Sequence, residues 1–187
     1  YKNIERYLAR KSTAIVAISE LQKRELVEVY KIAKADKVHV VPLGFDLSRF
    51  KKNNENLRDS FRKKYFVQED EIAISIIGRM APIKNHELYL RAVAVLKQKT
   101  KKKLRFFIIG DGETREKTEE LATQLEIDCT NFLQTQRPAQ LIFTSWIREI
   151  EVALAGSDII CLSSDNEGTP VSLIEAQAAG KPVISTQ

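Results

Sequence analysis

Cysteine and histidine are scarce in this chain, with two of each among 187 residues. Cys129 and Cys161 lack metal-ligand spacing, and His39 and His86 stand far apart, so no metal centre is expected. Cys161 lies in the apolar run DIICLSS and reads as a buried thiol, which fits a reduced, cytosolic setting. No apolar run approaches the roughly 20 residues of a membrane span, and no signal peptide opens the chain. The first residue is Tyr1 rather than Met, so the sequence reads as a piece of a longer protein. Internal repeats are missing, and so is low complexity beyond one lysine run. Aromatic–basic alternation is also missing, which argues against single-stranded nucleic acid as a partner.

What is present is ordinary for a globular protein: 43% hydrophobic and 29% charged residues. The length suits one good core, or one domain with a piece of another. The net charge of +5 is clustered in KQKTKKK at 97–103, in Lys51 and Lys52, and in Arg62, Lys63 and Lys64. Such clusters suit an anionic surface. They equally suit solvated helix ends, where lysine complements the dipole.

From Glu71 onward, β-branched runs alternate with amphipathic stretches. EIAISIIG, LRFFIIG, QLIFTSW, DIICLSS and KPVIST read as strands. NHELYLRAVAVLKQK, ETREKTEELATQLE, REIEVALAGS and a segment starting at Pro170 read as helices. This pattern predicts an α/β fold, a Rossmann-like doubly wound parallel sheet with helices on both faces. Residues 1–50 read as a separate βα unit with a crossover strand, in TAIVAIS, a helix capped by Ser19, and KVHVVPLGFD. Residues 51–70, with Asn53, Asn54 and Asn56, read as a linker carrying the short helix LRDSFRKKY. Residues 71–187 form the predicted nucleotide-binding domain, and CTNFLQTQRPAQ at 129–140 reads as an irregular loop.

Three constellations bear on chemistry. In NEGTPVSLIEAQ, Thr169 is placed to cap a helix beginning at Pro170, since proline suits a first helical position. A helix start at a strand's C-terminal edge offers N–H groups to an anion. Glu167 and Glu175 border that start, and carboxylates accept paired bonds from vicinal hydroxyls; equally, they could serve only the helix dipole. In GRMAPIKNH, Gly78 ends a strand, Asn85 is a fair N-cap, and Arg79 and Lys84 suit a diphosphate or are simply surface cations. The third, IIGDGE, is a strand-to-turn signal shared by many βα units.

Together these stretches resemble the retaining glycosyltransferases of family four, the group 1 transferases of the two-domain GT-B fold. The resemblance rests on IIGRMAPIKNHELYLRA, FFIIGDGE, GSDIICLSSDNEGTPVSLIEAQAAGKPVIST and IVAIS…KVHVVPLGFDLSRF. It implies that Arg79 and Lys84 neutralise the donor diphosphate, Glu175 binds the ribose hydroxyls, and Glu167 faces the donor sugar. Gly78, Gly168, Thr169, Val171 and Ser172 would approach phosphate or sugar, with Trp146 or Ile147 beside the base. The implied donor is a nucleotide sugar, UDP-linked ahead of GDP- or ADP-linked, and the implied acceptor a glycan or lipid-linked sugar bound by another domain. Neither cofactor nor metal is implied, and nucleic acid is not a partner. The cytoplasm, including the cytoplasmic face of an anionic membrane, is the implied location. The chain would be the donor half-site, inactive alone. A nucleotide-sugar epimerase of the same architecture and a non-catalytic nucleotide-binding α/β module are the competing readings.

Overall fold

The computed structural model describes residues 1–50 and 55–186. Lys51, Lys52, Asn53 and Asn54, which the sequence singles out for charge or polarity, lie outside the described residues. The chain divides into two compact units, Tyr1–Asp46 with Glu167–Pro170, and Leu47–Asn166 with Val171–Gln187.

The first unit holds helix α1 (Lys2–Lys11), strand β1 (Ile15–Ala17), helix α2 (Glu20–Arg24) running into a wide turn at Glu25–Val29, and strand β2 (Val38–Val40). β1 and β2 pair in parallel, which requires the helical crossover between them. Ser19 caps α2, its hydroxyl accepting from the Gln22 N–H at 3.1 Å. The Lys37 ammonium donates to the carbonyls of Ala9, Arg10 and Ser12, satisfying the C-terminal end of α1.

The second unit contains helix α3 (Glu55–Lys64), β3 (Ile72–Ile77), α4 (His86–Lys99), β4 (Leu104–Ile109), α5 (Arg115–Gln124), β5 (Cys129–Asn131), β6 (Leu141–Ser145), α6 (Ile150–Gly156), β7 (Ile159–Leu162), α7 (Val171–Ala178) and β8 (Val183–Ser185). Its six strands run parallel in the order β5-β6-β4-β3-β7-β8. Alternate strand residues serve opposite faces. Ile74, Ile76, Phe106 and Ile108 meet Tyr89, Leu90 and Val93 of α4 on one side. Ala73, Phe107, Ile109 and Ile142 meet Phe61 of α3 and Ala153 of α6 on the other. A third cluster joins Phe50, Ile160 and Leu162 to Leu173 and Ala176 of α7. The doubly wound sheet is therefore as expected.

Three expectations need correction. The helix expected within a linker is part of the second unit's outer layer. Phe61 is 1% exposed, and a Cβ placed on Gly156 would lie 2.1 Å from its ring, so α3 and α6 cross where only glycine fits. The segment 129–140 is not wholly irregular, because Cys129–Asn131 forms the edge strand β5 beside β6. Its remainder is pinned by Arg137, which donates to the Asp128 carboxylate and the Cys129 carbonyl. Arg62, counted in a basic surface cluster, is 7% exposed and pairs with Asp158 at 3.2 Å. That carboxylate also accepts the Ala73 N–H, so the charge of Arg62 serves the fold.

Among the described residues no helix is long and apolar enough to cross a membrane.

Candidate functional site

The order in which successive strands are laid down reverses at β3. The path from β3 goes to β4 on one side, and after β6 it returns to β7 on the other. Such a switch point parts the loops that follow the two neighbouring strands, and open parallel sheets bind ligands there. The loops after β3 and β7 are held in register by direct bonds. The Ser163 hydroxyl reaches the Lys84 and Asn85 carbonyls, both at 2.9 Å. The Asp165 N–H donates to the Ile83 carbonyl at 2.9 Å, and Asn85 Nδ2 donates to the Asp165 carboxylate at 2.7 Å.

Asn85 has a second task. It sits in the left-handed region at φ 46°, and its side-chain oxygen caps α4 by accepting the Leu88 N–H at 3.1 Å. The capping expected of Asn85 is thus present. Residues Pro82–Lys84 form a short 3-10 turn just before it. The Lys84 stem passes over Gly78, where a Cβ on the glycine would lie 3.9 Å from the lysine Cε. The ammonium is thereby carried back towards the end of β3.

Arg79 is exposed, and its guanidinium binds Glu113 at 3.1 Å. A backbone hydrogen bond within Glu113, helped by this pairing, holds the Glu113 carboxyl below its ordinary range. The turn IIGDGE, a weak signal by itself, is the neighbour that shapes this loop. Gly110 has φ 143°, and a Cβ on it would lie 1.9 Å from the Gly78 carbonyl oxygen. The two turns at the strand ends can approach so closely only because residue 110 has no side chain. Asp111 then ties the turn together. It accepts from the Ser145 hydroxyl at 2.8 Å, the Gly112 N–H at 2.8 Å and Arg115 at 3.0 Å. Burial opposes its ionisation, but these partners outweigh burial and hold its carboxyl below the usual range.

The helix expected from Pro170 runs from Val171 to Ala178. Val171 and Ser172 open the first turn, where helix N–H groups lack intrahelical acceptors. Glu175 lies one turn further on, and its side chain is 17% exposed. Burial raises its pKa, and Arg49 draws it back. The Arg49 guanidinium stands 3.5 Å from Glu175 and 3.8 Å from Glu151.

Gly78, Arg79, Lys84, Trp146, Ile147, Val171, Ser172 and Glu175 thus all belong to the second unit. Glu167, Gly168 and Thr169 group with the first. Trp146 is 60% exposed, whereas Ile147 packs against the core cluster around Phe61 and Phe107. Of the two residues expected beside a base, Trp146 is the one with an open surface.

Sequence reasoning missed Arg49, Glu113 and Asp165. Arg49 lies in SRF, where Phe50 anchors it to the third core cluster. Its partner is 126 residues away, and no local pattern signals such a pair. Among the described residues, no cluster of histidine, cysteine, aspartate and glutamate is placed to hold a metal ion.

Comparison with known proteins bears on the family and the fold. Residues 58–187 match the family described as Glycosyl transferases group 1. A D-inositol 3-phosphate glycosyltransferase of Nocardia farcinica is 29% identical over 188 residues, covering 97% of this chain and 39% of its own length. An Escherichia coli UDP-Gal:alpha-D-GlcNAc-diphosphoundecaprenol alpha-1,3-galactosyltransferase is 25% identical over 187 residues, covering 98% and 45%. The chain therefore spans less than half the length of these relatives. In fold it resembles Anabaena HepE, crystallised with UDP and glucose, with a TM-score of 0.76 at 16% identity over 99% of this chain and 48% of HepE. A doubly wound sheet with glycine turns at its switch point, matched over most of its length by one family, places the chain among the group 1 glycosyltransferases, with the fold of the GT-B enzymes.

Proposed function

We propose that this chain forms the donor-binding part of a transferase that moves a sugar from a nucleoside diphosphate sugar to a glycan or lipid-linked acceptor, retaining anomeric configuration. The observation that carries the reading is the stitched pair of loops at the switch point. One loop presents Arg79 and Lys84. The other lies upstream of the α7 start and Glu175. In this reading Lys84 and Arg79 neutralise the diphosphate as the glycosidic bond to it breaks. Arg79 leaves Glu113 to do so, exchanging an exposed pair for a doubly charged ligand. The first-turn amides of α7, at Val171 and Ser172, add the positive end of a helix. Glu175 accepts from the ribose hydroxyls, Glu167 from the donor sugar, and Trp146 covers the base.

Fixed cations and helix N–H groups placed where charge develops do the electrostatic work that a metal does elsewhere, so the reaction is proposed to need none. Uridine is the favoured base, in keeping with the names of the galactosyltransferase relative and the HepE complex. Equilibrium binding of UDP-, GDP- and ADP-sugars to the full-length protein, with the product's anomeric configuration read by NMR, tests the proposal. Tightest binding of a UDP-sugar in metal-free buffer and a retained configuration are expected. Failure of all three to bind would overturn it.

A further inference from the structure

In the turn Ser48–Phe50 an arginine stands beside a buried phenylalanine. Phe50 packs in the cluster that holds Leu173 and Ala176 of α7. The Arg49 guanidinium lies over the Phe50 ring, 4.7 Å from its centroid. An aromatic face attracts a cation, so the ring that anchors the turn to α7 also holds the guanidinium beside that helix. There Arg49 Nη2 donates to Oε1 of Glu175 at 3.5 Å, and Nη1 stands 3.8 Å from Oε2 of Glu151. Among the described residues, the other oxygen of Glu175, Oε2, makes no hydrogen bond.

Each carboxylate oxygen has two lone pairs, so Glu175 can keep Arg49 on Oε1 and still accept two vicinal O–H groups. It does so with full strength only when ionised, because a protonated carboxyl turns one acceptor into a donor. Burial pushes its pKa up, and the Glu151 carboxylate adds to the rise; Arg49 draws it down by charge and by hydrogen bond. The elements around α7 offer no other counter-charge among the described residues. Helix α6 brings only Glu151, and β8 has no titratable side chain. Strand β7 brings the Cys161 thiol, which burial pushes up to about 11 and so keeps neutral. The Lys181 ammonium, beyond α7, donates to the Ala155 carbonyl.

We infer that Arg49 is a positioning residue for the ribose of the donor nucleotide: it holds Oε1 of Glu175 and leaves Oε2 as a charged acceptor for the vicinal hydroxyls. The inference rests on the assignment of Glu175 to the ribose and adds the residue that keeps that carboxylate charged.

Calorimetry of the full-length protein with UDP and 2′-deoxy-UDP, from pH 5 to pH 8, tests it. Both ligands carry the same diphosphate, so its titration cancels in the ratio of their affinities. Wild type should prefer UDP by about tenfold or more at pH 8, as for a hydrogen bond to a charged group. That preference should fall at acid pH as Glu175 protonates. In Arg49→Met the fall should set in at higher pH, while Arg49→Lys, which keeps the charge, should move the profile back towards wild type. In Glu175→Gln the preference should be small and independent of pH. Adding Arg49→Met to it should change the ratio no further, since both residues act through one carboxylate. An arginine that only braces the fold would weaken both ligands alike, and a ratio with the wild-type pH profile in Arg49→Met overturns the inference alone. Equal binding of the two ligands by wild type, or binding of neither, overturns the assignment of Glu175 itself and the inference with it.

Discussion

Arg49 and Glu175 form an ion pair at 3.5 Å between the segment before α3 and the second turn of α7, with Glu151 3.8 Å from the same guanidinium. The carboxylate proposed to receive the ribose is therefore occupied by a cation of its own unit. Phe50, beside Arg49, is 4% exposed and fixes the backbone from which the guanidinium reaches.

Arg49→Ala should leave the fold intact and cost about 0.2–1 kcal/mol, the range for a solvent-accessible ion pair. Its clearer effect is on pH dependence. The folded pKa of Glu175 is raised by burial, and Arg49 limits the rise. A carboxyl with a raised folded pKa contributes stability at acid pH that is lost as pH climbs through that pKa. Removing Arg49 should steepen this loss above the ordinary glutamate range. Urea unfolding of both proteins from pH 4 to pH 7 reads it, and identical profiles would show that the pair does not tune Glu175.

Lys84→Ala should weaken nucleoside diphosphate binding by about 1.5–3 kcal/mol, the range for hydrogen bonds to charged groups, with little effect on nucleoside. Glu113→Gln should act oppositely. It releases Arg79 from its 3.1 Å partner and should tighten diphosphate binding several-fold. Calorimetry on the full-length protein measures both. Equal losses for nucleoside and diphosphate in the lysine variant would remove the clamp.

Glu175→Gln should weaken binding of the nucleotide itself, since the ribose loses a charged acceptor. Glu167→Gln should spare nucleoside diphosphate and lower transfer from the complete donor. If both glutamates serve only the helix dipole, each change costs roughly 0.3–1 kcal/mol of stability and neither distinguishes the ligands. Affinity and transfer rate, measured side by side for the two variants, decide between these outcomes.

Gly110→Ala should destabilise by at least about 1–3 kcal/mol, as overpacking does, because its Cβ would collide with the Gly78 carbonyl at 1.9 Å. The displaced Gly78 turn carries Arg79, so diphosphate affinity should fall with stability. Thermal unfolding and calorimetry on the same sample check the pair of effects. An alanine variant of unchanged stability would mean that the β3 and β4 turns do not meet as described.

The strands were legible because the sheet is buried on both faces: EIAISIIG and LRFFIIG are near-continuous apolar runs bounded by glycine, a pattern with few other solutions. Ser19 and Asn85 announced their helices for an equally local reason, since a cap and its N–H lie three residues apart. The short strand β5 was illegible. Cys129–Asn131 is three residues long and owes its extended form to β6 beside it.

Sequence by itself determined the alternation of strands and helices, and it supplied the cations at the end of β3 and the glutamates around α7. Tertiary structure decided what each charge faces. Arg62 became a buried partner of Asp158, Arg79 met Glu113, and Arg49 met Glu175 across 126 positions. The division follows from range. Periodicity and capping act over a few residues and are written in the order of the chain. Ion pairs are set by which loops the sheet order brings together, and that order exists only once the strands have paired.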